Sequence, residues 1–460
     1  MIYINKYIDK KWYLYVCGVF IFILFVMFMS FPGGEKEEKL ITNKLNAKVI
    51  NVQSDRLTVK DEKDVIYTFS STDNNIEVGT EVVIEYTGLL NKSKELQSGS
   101  LVGITPVSSD EENTRIRRNG GMFSDFDTLT SNKLKTMTLD EKIGQILLVR
   151  YPGDTVAKEV LEKYKVGGFV FFEKDFADKS KQEVMKMIKD LQNVANIPLL
   201  TAVDEEGGKV VRVSSNTNLA SSKFLSPSEL YKTGGFDLIR QDTIDKSTLL
   251  SELGLNVNLA PVVDVSINAS DYMYDRTLQE GQELTSKYAE TVIEASKGKG
   301  VSYVLKHFPG YGNNADTHSS TVLDNRTFES IETNDLPPFE AGISKGAEAV
   351  LVSHNTVVNI DDVNPASLSP SVHNLLRNNL NFTGVIITDD LAMGAVSSIP
   401  NAVQKALLAG NDIIMVTDYE KSFNELKSAV ENGTISEDLL DDANYRIISW
   451  KYYKGLMYSK

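Results

Sequence analysis

The chain has 460 residues, 42% hydrophobic and 24% charged, enough for two or three domains or for one large barrel with a smaller piece. A net charge of −15 argues against general binding to nucleic acid or to an anionic membrane surface. A single cysteine, Cys17, excludes an intrachain disulfide, and no Cys/His cluster at metal-ligand spacing supports a structural zinc site.

In chain order, Lys6, Lys10 and Lys11 precede an uncharged apolar run over residues 12–31. About twenty such residues can span a bilayer as a helix, and the basic flank predicts a cytoplasmic N-terminus. A cleaved signal peptide is the competing reading, but the apolar core is long and no A-x-A-like site follows it. Residues 1–34 therefore read as a cytoplasmic tail and an uncleaved transmembrane signal anchor, with the remaining chain outside the cell membrane (extracytoplasmic). Residues 35–40 read as a charged linker. Residues 41–107 read as a small all-β domain of four to six strands, with half-buried alternation clear at 56–59 and less perfect at 47–52, where Val49 and Ile50 are adjacent. Residues 108–122 are polar and read as a second linker.

From 123 to 460, apolar strand-like runs alternate with amphipathic stretches. The strand candidates are 145–149, 167–172, 199–203, 257–263, 302–305, 349–353, 385–388 and 413–416; helical patterns include 181–195, 284–297 and 402–409. Eight strand–helix repeats predict an α/β fold and favour a closed (β/α)8 TIM-type barrel over an open doubly wound sheet. No G-x-G-x-x-G follows the first strand, so a dinucleotide site has no support.

Active sites of such barrels form at the C-terminal strand ends. There the sequence places Asp204-Glu205-Glu206 on the third strand, Asp264 on the fourth with Asp275-Arg276 beyond it, and Lys306-His307 on the fifth with Asp316 and His318 in its loop. His354 ends the sixth strand and Asp389-Asp390 the seventh. Any one of these could be a solvated loop charge, and Asp390 could cap the next helix. Polar clusters at the ends of five consecutive strands are not explained that way.

Four motifs carry a resemblance: Asp204-Glu205-Glu206-Gly207-Gly208-Lys209-Val210-Val211-Arg212, Lys306-His307-Phe308-Pro309-Gly310-Tyr311-Gly312, Asp316-Thr317-His318 and Thr388-Asp389-Asp390-Leu391-Ala392-Met393. In this order they resemble glycoside hydrolase family 3, in its β-N-acetylhexosaminidase branch, over residues 123–456. The resemblance implies a retaining exo-β-N-acetylglucosaminidase with Asp389 as nucleophile and His318 with Asp316 as the acid/base pair. It implies sugar-binding roles for Asp204, Arg276, Lys306 and His307, and places His354 near the pocket. Arg212 would brace the loop after the third strand. The implied substrate is an N-acetylglucosamine-containing oligosaccharide or muropeptide from cell wall, with no metal and no cofactor. Tyr311 stands where His is frequent, Thr317 where Ser is frequent, and Lys209 where Arg is frequent. No second α/β domain of the kind that supplies the acid/base in many β-glucosidases of the family follows the barrel sequence. A β-glucosidase or a phosphorylase on the same scaffold, and an inactive sugar-binding protein, are the alternatives.

Overall fold

The structure is a computed structural model that describes residues 43–53, 56–61, 65–70, 80–86, 89–90, 96–98, 101–106, 121–314, 316–317 and 322–458. The anchor expected at 1–34, the linker at 35–40, nearly all of the linker at 108–122, and His318 lie outside the described residues. Among the described residues, no helix is long and apolar enough to cross a membrane. The chain divides into two compact units.

The first unit holds an antiparallel sheet of five strands, ordered Ile66–Ser70, Arg56–Lys60, Asn43–Gln53, Glu81–Tyr86, Leu101–Pro106. Alternate residues, among them Leu57, Val59, Tyr67, Phe69, Val82 and Ile84, build one apolar core. This is the period-2 face of a pleated sheet. The imperfect alternation at Val49-Ile50 has a physical cause. Val49 pairs with Val59 and Asn51 with Thr58, so the register shifts between them and Ile50 sits in a bulge.

The second unit is the barrel. Its strands are β1 Leu147–Arg150, β2 Gly168–Phe171, β3 Leu200–Val203, β4 Val257–Asn258, β5 Ser302–Phe308, β6 Ala349–Val352, β7 Val385–Thr388 and β8 Ile414–Val416. Each pairs in parallel with the next from β1 to β7, and β8 pairs in parallel with β1. An isolated parallel bridge, Ile387 to Ile413, closes the gap between β7 and β8. The strands are buried almost throughout, which is why they read as apolar runs without alternation. Phe169, Phe171 and Phe308 are fully buried in the single large core. Each such side chain stabilises by ~1.5–3 kcal/mol, and a Phe308→Ala cavity would cost ~3–5 kcal/mol.

Eight helices follow the strands: α1 Asp154–Tyr164, α2 Lys181–Val194, α3 Pro227–Glu252, α4 Gln282–Ser296, α5 Leu336–Ser344, α6 Pro370–Asn374, α7 Ala402–Ala409 and α8 Tyr419–Glu431. The Ser-x-x-Glu signatures at Ser180/Glu183 and Ser226/Glu229 form capping boxes that start α2 and α3. Three strand boundaries move by more than one residue, among them the end of the fifth, which runs on from 305 to Phe308. The first strand begins at Leu147 because Gln145 ends a separate helix, Leu139–Gln145, capped by Thr138. The fourth is regular only at Val257–Asn258, since Pro261 has no N–H to give the ladder; Val262 resumes the pairing opposite Lys306.

A C-terminal helix, Glu437–Tyr453, crosses the N-terminal ends of the strands. Its Lys451 ammonium bonds Gln145 Oε1 at 2.6 Å and the Gly167 carbonyl at 3.0 Å, and Trp450 Nε1 donates to Glu348 at 2.6 Å. This end of the barrel is sealed, so chemistry is confined to the opposite rim.

Candidate active site

Three consecutive acids end β3, and the structure separates their tasks. Glu205 is fully buried and accepts the backbone N–H groups of Arg212, Val213 and Ser214 at 2.8, 2.7 and 3.2 Å, together with the Ser214 hydroxyl. It braces the loop beyond β3. The Arg212 guanidinium lies over Phe172 at 5.6 Å instead, with Nε buried and unbonded.

Glu206, with 2% side-chain exposure, receives Arg276 through two bonds of 2.7 and 3.0 Å and lies 2.6 Å from Lys306 Nζ. Asp204, with 17% side-chain exposure, takes the same ammonium at 2.7 Å. Asp204 is therefore the carboxylate a ligand can reach, while Glu206 holds the two cations in place. Burial alone would raise the Glu206 carboxyl, but Arg276 and Lys306 outweigh it and hold the group far below the usual range. Burial likewise opposes the Lys306 charge, and Asp204 and Glu206 reverse that, raising it above an ordinary lysine. Glu206 and Lys306 therefore hold opposite charges against each other.

The Lys306–His307 peptide bond is cis, and both side chains enter one network. His307 Nδ1 lies 2.7 Å from Asp264 Oδ2, whose partner oxygen accepts the Tyr311 N–H at 2.7 Å. A buried carboxylate accepts only, so Nδ1 carries the proton and Nε2, 3.4 Å from Arg276 Nη2, offers its lone pair. The loop that leaves β5 then turns through Gly310 and Gly312. Both have positive φ, +118° and +57°, and a Cβ on either would run into Asp335 or the Arg326 guanidinium. Arg326 in turn bonds Asp324 and Asp335, each at 2.7 Å.

Asp389 and Asp390 end β7 with different fates. Asp390 is buried; it takes Arg150 at 2.8 Å and the Ala392 N–H at 2.9 Å. It caps the turn at Ala392 and not the next helix: α7 begins after Asn401. Asp389 is partly exposed and accepts the Asp390 N–H at 2.9 Å. Burial raises its carboxyl, but His354, His307, the Asp390 N–H and Lys306 outweigh it, so the group sits below its ordinary value. A partly exposed, firmly ionised carboxylate facing cations and imidazoles is an available nucleophile. His354 is fully buried, with Nδ1 2.7 Å from Ser367 Oγ and Nε2 3.0 Å from the Asp390 carbonyl. It reaches the site through the field it exerts on Asp389.

Asp204, Arg276, Lys306, His307 and Asp389 thus converge on one rim. Asp316 lies in the loop beyond β5, close enough to Tyr272 for its charge to raise that phenol; His318 lies outside the described residues. Glu206 and Asp264 stood out in the sequence by strand end but without a role, and Tyr272 gave no signal; all three carry the geometry. Among the described residues, no group of three or more His, Cys, Asp or Glu could hold a metal ion.

Residues 138–450 match the Glycosyl hydrolase family 3 N terminal domain. The chain belongs to glycoside hydrolase family 3. A beta-hexosaminidase from Xylella fastidiosa (strain M23) is 31% identical over 296 residues, 62% of this chain and 87% of that protein. A glycoside hydrolase family 3 beta-N-acetylglucosaminidase from Paenibacillus sp. str. FPU-7 superposes with a TM-score of 0.66 at 29% identity, over 70% of this chain and 63% of that longer one. LpqI of M tuberculosis gives 0.63 at 28% identity, over 69% of this chain and 95% of that one. The chain is a glycoside hydrolase, built on the family's parallel barrel.

Proposed function

We propose that this glycoside hydrolase is a retaining exo-β-N-acetylglucosaminidase acting on cell-wall-derived glycans or muropeptides. The observation that carries the reading is Asp389: a partly exposed carboxylate held ionised beside the Lys306–Asp204 pair, at the rim where Arg276 and His307 also converge. The relatives named as hexosaminidases and as an N-acetylglucosaminidase support the sugar.

In this reading Asp204, Lys306, Arg276 and His307 hold the ring hydroxyls of a terminal N-acetylglucosamine. Asp389 attacks the anomeric carbon as the glycosidic C–O bond breaks, and His318, oriented by Asp316, gives its proton to the leaving oxygen. Water then gives a proton back to His318 and its oxygen to the anomeric carbon, which releases Asp389. Bonds to the hydroxyls that tighten as the ring flattens lower the barrier. Residues 1–34 anchor the protein, with the barrel outside the cell membrane.

Trapping with a slow, activated N-acetylglucosaminyl fluoride tests the nucleophile. The expected result is one glycosyl adduct on the peptide that contains Asp389. An adduct on another residue would overturn the assignment. For the anchor, release by detergent but not by high salt is expected, and recovery in the soluble fraction would defeat it.

A further inference from the structure

The short run that carries Asp316 is held from two sides by tyrosines. The Tyr311 hydroxyl lies 2.7 Å from Thr317 Oγ1 and accepts the Thr317 N–H at 2.9 Å. Tyr311 is itself fixed at both ends. Its N–H is held by Asp264, and its ring packs on Val262 and Met273 and stands edge-on to His307, centroids 5.7 Å apart. Thr317 is buried, and its carbonyl accepts the Ala395 N–H at 3.1 Å, on the segment that follows Asp389. Tyr272 comes from a different loop, the one after β4. Its ring lies 5.8 Å from that of Tyr311, and its phenol lies in the field of the Asp316 carboxylate. Burial, Asp316 and Asp389 raise the Tyr272 phenol, and burial raises Tyr311, so both stay protonated.

Tyr311 and Thr317, six residues apart in one loop, touch each other through two bonds. The tyrosine hydroxyl serves Thr317 as both acceptor and hydrogen-bond partner, so the two residues act as one fitting. Tyr272 packs on the Tyr311 ring and sets its phenol beside Asp316, one residue earlier in the chain.

We propose that Tyr311 and Tyr272 form a two-tyrosine clamp that positions Asp316 for the acid–base step. This rests on the reading of Asp316 as the carboxylate of the acid/base pair. Neither tyrosine moves a proton to the substrate; both act through the residues they hold. The energetic case is positional. A misplacement of about 1 Å in a catalytic constellation can cost ~10²-fold in rate, and removing one hydroxyl from the clamp frees a segment bonded elsewhere by the Ala395 contact.

The test is Tyr311→Phe, Thr317→Val and Tyr272→Phe, each assayed on a β-linked N-acetylglucosamine disaccharide and on the 2,4-dinitrophenyl glycoside. General acid help is needed for the first leaving group and hardly for the second. Roughly tenfold loss of kcat/KM on the disaccharide is expected, with the activated glycoside within about twofold of wild type. The Tyr311→Phe/Thr317→Val double variant should lose no more than Tyr311→Phe alone, since Thr317→Val removes one of the two contacts that Tyr311→Phe removes. Thr317→Ser keeps the hydroxyl that meets Tyr311 and should stay within about twofold of wild type on both substrates; it also serves if the phenylalanine variant does not fold. Equal losses on both substrates, or no loss on either, in the phenylalanine and valine variants would overturn the clamp. His318→Ala measured alongside separates the layers. A leaving-group effect there without one in the tyrosine variants sinks the clamp alone; no such effect in His318→Ala sinks the acid/base reading beneath it.

Discussion

His307 Nδ1 lies 2.7 Å from Asp264 Oδ2, and both side chains are buried. One carboxylate thus sets the tautomer of His307 and, through its second oxygen, the start of the loop at Tyr311. Asp264→Asn reverses this. An amide N–H facing Nδ1 pushes the proton to Nε2, where it meets the Arg276 guanidinium. The expected result is a loss of roughly 10²-fold in kcat/KM, about 2.7 kcal/mol, with the circular dichroism spectrum kept. Wild-type kinetics in a folded Asp264→Asn protein would defeat the tautomer argument.

Asp389→Asn removes the attacking oxygen's charge while keeping its shape, so turnover of an aryl N-acetyl-β-glucosaminide should vanish with little change in thermal midpoint. Hydrolysis at wild-type rate would refute the nucleophile. For His318→Ala the loss should depend on the leaving group. Poor leaving groups should slow by the ~10²–10⁴-fold that acid–base help supplies, and activated aryl glycosides by much less. A uniform loss counts against His318 as the acid.

The barrel was legible because its strands are buried on both faces and so read as short apolar runs; 385–388 matches β7 to the residue. The boundaries that moved depend on neighbours. Gln145 belongs to a helix capped seven residues earlier, and Pro261 interrupts β4. In the site, Lys306, His307 and Asp204 stood out by type and by strand end. What the sequence could not distribute were equivalent acids. Glu205 and Glu206 are chemically alike, and their separate tasks depend on backbone N–H groups near Val213 and on Arg276, seventy residues away. Asp390 looked like a helix cap until Arg150, 240 residues earlier, took its carboxylate.

Glu205 supplies a fourth prediction. As a buried carboxylate it satisfies three backbone N–H groups and one hydroxyl, all from 212–214. Glu205→Gln turns a donor toward donors and leaves part of that set unbonded, each buried orphan costing ~1–3 kcal/mol. Stability in urea should fall by about 2–4 kcal/mol, and KM should rise as the loop beside Asp204 loosens. An unchanged urea midpoint would show that the loop does not depend on this carboxylate.

Lys451 gives a pH dependence whose sign can be worked out. The ammonium is fully buried at the sealed end of the barrel, and burial lowers its pKa from 10.5 to about 7. Lys454 on the same helix is lowered to about 8, by burial against the pull of Glu348. Between pH 7 and 10.5 the unfolded chain holds protons that the folded one has released, so stability rises with pH across that window, by up to ~1.4 kcal/mol per unit for each group. Below pH 7 the Lys451 contribution is flat, because both states are protonated. Lys451→Met removes one of the two groups. Its thermal midpoint should climb less steeply than that of wild type between pH 7 and 9.5, and the gap between the proteins should shift in favour of wild type as pH rises. Parallel midpoint curves over that range would show that Lys451 keeps its proton in the folded barrel, held by Gln145 Oε1 and the Gly167 carbonyl.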